Sequence, residues 1–444
     1  YTGRNEIFGI PEALFFNPEK HSEIGMQMFG HYLETPLGVA AGPHSQLAQN
    51  IITAWLCGAR YIELKTIQTL DELEVSKPCI DMQDEGYNCE WSQELRIHES
   101  YEEYLKAWII IHLLQHRLGR KKEEKGGFVF NMSVGYNYEG ILKENVQWFL
   151  DKMHDSGHEK NKMISALQPL YPAIGEIEIP DCISDNITLS TMHGCPPDEI
   201  EKIGHYLLSE KKLHTFIKLN PTLLGKDALR NILNNKLGFK TTVPDVAFEH
   251  DLKYPDAIGI ISRLQQTADQ EGLIFGVKLT NTLESLNHKN IFPPNEQMMY
   301  MSGRALHPIS INVARKLQNE FQGKLTVSFS AGADCYNVSD VIRCGLKPVT
   351  ICSDLLKPGG YGRLHQYLEN IGALKDRPEK DELQFLNEYA DAVVDYEAYK
   401  NDPFLDKNIK SARHLGPLDC IHAPCVDKCP TSQDIPQYLH FTSA

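Results

Sequence analysis

The sequence predicts a parallel α/β barrel of the (β/α)8 type, and three observations carry that prediction. Short β-branched runs, each followed by a stretch of helical apolar spacing, recur through most of the chain. Eight such runs can be counted, enough for a parallel sheet to close on itself, where six or fewer would leave it open. The composition, 42% hydrophobic and 23% charged over 444 residues, is that of a globular chain able to bury a large core.

The runs are Pro36 to Ala41, Tyr61 to Thr66, Phe128 to Val134, Asn186 to Met192, Thr215 to Asn220, Leu273 to Asn281, Leu325 to Ala331 and Val349 to Ser353. Between them, Gln46 to Cys57 is apolar at helical spacing. Pro196-Pro197-Asp198-Glu199 opens another helix with proline and acids, the residues a first turn favours. Two connections exceed the usual length, 68–127 and 157–185, and are expected as insertions over or beside the ligand-binding face; the first carries a helix from Tyr101 to Leu118. The barrel with these insertions is expected to occupy residues 1–375. Past Gly372 the pattern turns polar and helical, so a boundary is expected near Asp376 to Glu382. Residues 376–444 then read as a helical linker running into a cysteine cluster.

The formal charge of -15 argues against unassisted binding to nucleic acid or anionic lipid, both of which need a basic surface. The longest apolar stretch, Trp108 to Leu114, is interrupted by His112 and is far shorter than the ~18 residues a membrane span requires. No basic-then-apolar leader is present, so a cytoplasmic location is expected. Eleven cysteines, an odd number, favour reduced thiols or metal ligands over a disulfide framework. With Tyr1 first and Ala444 close behind the cysteine cluster, a longer polypeptide is expected.

Four constellations carry chemistry. The first is the set of lysines in barrel strands: Glu63-Leu64-Lys65-Thr66, Lys218-Leu219-Asn220 and Lys278-Leu279-Thr280-Asn281. A buried ammonium loses its hydration and needs a partner. Either a bound anion supplies it, or Glu63, two positions before Lys65 and so on the same face, pairs with Lys65. The second set, Ser330-Ala331-Gly332-Ala333 and Ile351-Cys352-Ser353 before Pro358-Gly359-Gly360, lies where barrels of this type bind phosphate, and its small residues let backbone amides approach closely. The third, Ser190 to Pro197 with His193 and Cys195, puts a thiol and an imidazole at the mouth of the fourth strand. Cys195 there could deliver a proton, or simply be a small buried hydrophobe. The fourth, Cys420, Cys425 and Cys429 before Pro430, is a C-x4-C-x3-C-P run like the tail of a ferredoxin-type ligand set. Zinc is the competing occupant, although its usual paired spacing is incomplete.

At these residues the chain resembles known flavoproteins. The phrase Pro36 to Pro43, with Lys65, Tyr136-Asn137, Cys195-Pro196, Lys218, Asn281-Thr282, Ser302-Gly303, Gly332 and Cys352-Ser353, resembles the FMN barrel of dihydroorotate and dihydropyrimidine dehydrogenases. Over nearly its whole length the chain is more similar to the bacterial selenate reductase-type subunits (YgfK-type), iron-sulfur flavoproteins linked to anaerobic purine breakdown and xanthine dehydrogenase-like enzymes. Ile62 to Thr66 and Thr188 to Pro197 carry that likeness.

The resemblance implies a barrel of dihydroorotate dehydrogenase type followed by a partial α-helical iron-sulfur domain. It places Ala40, Ala41 and Gly42 under a flavin ring, Lys65 and Lys218 against its reduced form, and Asn137, Asn281 and Thr282 on ring or substrate. Ser302, Gly303, Ala331, Gly332, Cys352 and Ser353 would hold the phosphate, and Cys195 would be the loop acid. Cys420, Cys425 and Cys429 would ligate [4Fe-4S] clusters, with FAD and NAD(P)H modules in longer members. In this chain Pro417 stands where the first cluster cysteine is expected, and Met192-His193-Gly194 replaces the Asn-x-Ser of the dehydrogenases, removing an amide that would orient a pyrimidine. The expected function is an FMN-dependent oxidoreductase relaying electrons between a nicotinamide or iron-sulfur partner and an oxidised substrate or partner enzyme. The rival expectation is a flavin-free barrel that docks or assembles a xanthine dehydrogenase-like molybdoenzyme.

Overall fold

The computed structural model describes residues 5–70, 79–82, 85–89, 95–120, 126–190, 194–288, 292–376 and 381–401. Eight parallel strands close into a barrel: β1 (Leu37–Val39), β2 (Tyr61–Glu63), β3 (Val129–Val134), β4 (Asn186–Ser190), β5 (His214–Leu219), β6 (Phe275–Leu279), β7 (Val327–Phe329) and β8 (Val349–Ile351). Each pairs with its neighbours in sequence, and β8 returns to β1 through Val349↔Leu37 and Ile351↔Val39. All eight predicted runs are barrel strands, but most are shorter than the runs. Their trailing residues, such as Leu64 to Thr66 and Ser330-Ala331, leave the ladder and turn toward the mouth. The predicted helices run Ala48–Leu56 and Ile97–Arg117.

The strands are buried on both faces, β3 along its whole length, because helices cover the outside while side chains fill the lumen. The N-terminal mouth is plugged. A hairpin of Met26–Met28 and His31–Leu33 carries Phe29 at its turn, and that ring packs 5.2 Å from Phe216 and 6.3 Å from Tyr61. Beside it the fully buried Arg60 lies against the Trp55 ring, 5.0 Å from its centroid, and pairs with Glu34. Ligand access is therefore left to the C-terminal ends of the strands.

A four-stranded antiparallel sheet roofs that end, in the order Leu283–Leu286, Met298–Gly303, Glu85–Asn88, Ile80–Met82. Two loops stitch it together: the 68–127 insertion supplies two strands and the connection after β6 supplies the other two, joined at Tyr300↔Asn88 and Met301↔Tyr87. The first loop was anticipated as an insertion. The second was missed because Met298–Gly303 has no β-branched residue, although its burial alternates along the strand. The 157–185 insertion forms a helix, Gly157–Leu167, beside the long helix Ile97–Arg117.

Past the boundary expected near residue 376, the described chain stays packed against the barrel. Helix Glu382–Val393, capped by the Asp381 carboxylate accepting from the Gln384 N–H at 2.8 Å, packs against helix Leu306–Glu320 and buries Leu386, Tyr389, Ala390 and Val393. The packed unit thus runs on to Asn401, whose N–H donates to the Leu237 carbonyl at 2.7 Å. Among the described residues, no helix is long and apolar enough to cross a membrane. Cys420, Cys425 and Cys429 lie outside the described residues.

His307 joins this last helix to the barrel. Its Nδ1 donates to the Ala331 carbonyl (3.0 Å) and its Nε2 accepts from the Tyr389 hydroxyl (2.9 Å). Burial pushes its pKa down to about 4, against the smaller opposing pull of the Ala331 carbonyl. An unfolded chain would protonate this imidazole near 6.5, so between the two values the unfolded state binds more protons. The neutral form is favourable above about 6.5, and stability drains as pH falls toward 4; His44, also lowered to about 4 by burial, acts in the same direction. His307→Gln should therefore lose about 3 kcal/mol less than the parent between pH 7 and pH 4 in urea denaturation. Equal losses in the two proteins would remove His307 as an acid-sensitive tie.

Candidate active site

The C-terminal ends of the strands and the roof sheet enclose one cavity of about 350 Å³, within the range of small-molecule sites. Its floor is Ala40, Ala41 and Gly42 after β1. Lys65 and Thr66 follow β2, Ser190 ends β4, Lys218 stands near the end of β5, and Thr280 to Thr282 follow β6. The far wall is Ser330 to Asp334 and Cys352 to Asp354, and the roof contributes Cys79, Ile80, Met82, Gly86, Tyr87, Asn88, Tyr300, Ser302 and Gly303.

Small groups crowd the far wall into a cradle. Gly332 has φ +60°, and a Cβ there would come within 2.4 Å of the Gly303 carbonyl oxygen, so the two backbones approach because Gly332 carries no side chain. The Ser353 hydroxyl donates to the Ser302 hydroxyl at 3.0 Å, tying strand-end loop to roof. Asp354, a carboxylate in this wall, is neutralised by two bonds of 2.9 Å from Arg363 and receives the Tyr367 hydroxyl at 2.8 Å.

The opposite side is cationic, with one exception. Glu63, fully buried below the floor, bonds to the equally buried Lys278, and its other oxygen lies 4.0 Å from the Lys218 ammonium. Glu63, one of the two partners weighed for Lys65, instead bonds across the lumen. In an eight-stranded barrel β2 and β6 stand opposite each other, so inward side chains at the same height meet more readily than two inward residues on one strand. Lys278 also donates to the Thr350 hydroxyl at 2.6 Å. Burial pushes the Lys278 pKa down to about 8, with Glu63 opposing. Burial alone would push Glu63 up, but Lys278 and then Lys218 more than reverse it and hold the carboxylate below its ordinary range. Cys352, on the wall, is raised by burial, with Lys218 and Lys65 the strongest opposing charges.

Of the residues singled out from sequence, Ala40, Ala41, Gly42, Lys65, Lys218, Asn281, Thr282, Ser302, Gly303, Ala331, Gly332, Cys352 and Ser353 all face this one cavity. Asn137 does not line it: its amide oxygen accepts from the Gly140 N–H at 2.9 Å and caps a short helix, Tyr138–Ile141. Cys195 does not line it either. Burial first, then Glu199 and Asp198, push its thiol up to about 11, and residues 191–193 beside it lie outside the described ones. Apart from Ser302 and Gly303, sequence reasoning missed the roof residues, and it missed the Glu63–Lys278 partnership. Lys278 stood in a predicted strand, but nothing in the sequence says which carboxylate faces it.

Comparison with known proteins now bears on this site. Residues 8–401 match the family described as oxidoreductase YgfK, N-terminal TIM-barrel domain. The chain is 44% identical, over 99% of its length, to the protein of Escherichia coli strain K12 that carries the oxidoreductase name YgfK, and to the same extent to its namesake in Escherichia coli O157:H7. It spans 44% of the length of these curated relatives. Among solved structures, the ligand-free type DHODH from Eimeria tenella is similar with a TM-score of 0.51 at 14% identity, covering 84% of this chain and 93% of that one. That likeness is one of fold.

The cradle yields a direct test. A left-handed backbone costs a residue with a Cβ roughly 1–2 kcal/mol, and the contact with Gly303 adds to it. Gly332→Ala should lower the unfolding free energy by at least that amount in denaturant titration, and an unchanged midpoint would show that the cradle backbone yields without cost.

Proposed function

Because this chain belongs to the family of the oxidoreductase YgfK N-terminal TIM-barrel domain, we propose that its barrel is the flavin-carrying module of an electron-relaying oxidoreductase, with FMN as the cofactor. One observation carries the reading: a single cavity has a small-residue cradle at the ends of β7 and β8 and a lysine-lined side at the ends of β2 and β5. That polarity suits an elongated ligand with phosphate at one end and an electron-accepting ring at the other. The fit is supported by the donor set and by Gly332, where any Cβ would collide with the Gly303 backbone that forms the cradle.

When bound, the flavin supplies the capacity to take a hydride pair and return single electrons. The protein's own groups do the rest. Backbone amides around Gly303 and Gly332, with the Ser302 and Ser353 hydroxyls, would receive the phosphate. Ala40, Ala41 and Gly42 offer a floor without bulky side chains. Lys65 and Lys218 would balance negative charge arriving on the ring, the Lys218 ammonium standing 4.0 Å from the Glu63 carboxylate. Asn281, fixed by its amide N–H donating to the Asn220 oxygen at 2.7 Å, presents an oriented polar group. Ile80, Met82, Tyr87 and Tyr300 in the roof keep water away and so strengthen these interactions. No step is assigned to Cys195 or Asn137.

The C-x4-C-x3-C-P run of Cys420, Cys425 and Cys429 supports extending the relay to a [4Fe-4S] partner centre, completed by ligands elsewhere in a longer polypeptide.

Denaturing the purified protein should release FMN, identified by mass and fluorescence, and iron should be found with it in the intact longer protein. A colourless protein that takes up no FMN would overturn the reading. Lys218→Ala should weaken FMN affinity about tenfold or more, the worth of a charge-assisted contact, as measured by flavin titration. Parental affinity together with a parental rate of flavin reduction would remove Lys218 from the site.

A further inference from the structure

The barrel holds an acid that ligand binding alone does not explain. Glu63 and Lys278 are both fully buried, and Lys278 is further fixed by Thr350. Replacing such a pair with well-packed apolar residues is often neutral or stabilising, because desolvation offsets the Coulomb gain; stability is a weak reason to keep one. Its location is informative. Glu63 ends β2 directly before the segment bearing Lys65, its second oxygen is 4.0 Å from Lys218, and the Ala41 N–H adds its dipole to the same carboxylate. Ala41, Lys65 and Lys218 all line the cavity, whereas Glu63 and Lys278 do not. The pair therefore sits one layer beneath the floor, where water cannot screen it.

We infer that Glu63 and Lys278 are positioning residues that set the electron affinity of the cavity, with Glu63 discounting the positive charge of the lysine cluster and Lys278 limiting that discount. The inference rests on the flavin reading above. Lys65, Lys218, Lys278 and Glu63 together carry a surplus of two positive charges, and they are the four charges acting most strongly on the Cys352 thiol in the cavity wall. A cofactor that gains negative charge on reduction is reduced more readily as that surplus grows. While Lys278 stays protonated without Glu63, and Glu63 stays ionised without Lys278, removing the Glu63 charge raises the surplus by one, removing the Lys278 charge lowers it by one, and removing both restores it.

The test is a charge series measured by spectroelectrochemical titration of FMN in the full chain. Glu63→Gln should raise the two-electron midpoint potential, favouring the reduced form at least tenfold, or about 30 mV. Lys278→Met should lower it by a similar factor, and the double variant should return close to the parent. A purely structural role predicts reduced thermal stability or flavin content, but no potentials ordered by charge. Should Glu63→Gln fail to fold, Lys278→Met and the double variant differ only in the Glu63 charge, and the double variant must have the higher potential. Loaded variants with equal potentials, or potentials out of charge order, overturn the inference and leave the flavin reading intact. A parent that binds no FMN overturns that reading first.

Discussion

The arrangement of charge inside the barrel is the constraint on which the rest of the site depends. A closed sheet of eight strands has a lumen filled from one end and open at the other, and here the plugged end is aromatic and the open end ionic. Ammonium groups are placed at that depth only if something compensates them. Glu63 does so for Lys278 by direct contact and for Lys218 at 4.0 Å. A buried cation is by itself ambiguous evidence for a ligand. What separates the lysines is position, since Lys65 and Lys218 face the cavity while Lys278 stands beneath it and is matched by protein.

Given that charged side, the remainder of the cavity is shaped by exclusion. The cradle exists because Gly332 has no side chain to keep its backbone from that of Gly303, and Asp354, one of two acids in that wall, is held by Arg363 and Tyr367. The roof comes from two distant loops paired strand to strand, which closes the mouth without a separate domain. Apolar and aromatic roof residues beside a lysine-lined wall make a setting in which electrostatic terms are large because the local dielectric is low.

The sequence made the barrel legible because each parallel strand, buried on both faces, is a short apolar run bounded by turn residues, and the count of such runs fixes closure. The strand-end residues of the site were legible for the same reason: once Lys218 is known to be near the end of β5, its place at the mouth follows. Asn137 follows a strand and caps the next helix through its bond to Gly140, a second use of Asn at such a position that the sequence does not distinguish from a ligand contact. The partner of Glu63 was not legible, because a same-strand spacing of two suggests Lys65 whereas the closed lumen brings β6 opposite β2. The roof strand Met298–Gly303 escaped notice because methionine carries no strand preference strong enough to mark it.

The segment past residue 376 shows how far the cavity depends on residues remote from it. Ala331 lines the cavity wall, and its carbonyl is held by His307, which is held in turn by Tyr389 on helix Glu382–Val393. Arg304, also in the wall, donates to the Ala398 carbonyl at 2.9 Å and to the Lys400 carbonyl. Two links thus run from the last described turns of the chain to the side of the cavity that holds the cradle. A barrel ended at residue 375 would keep its eight strands but expose the apolar faces that Leu386, Tyr389 and Val393 cover, and would leave a buried imidazole without its hydroxyl partner. Helix Glu382–Val393 is therefore part of the barrel's packed unit, buttressing the proposed phosphate side through His307 and Ala331.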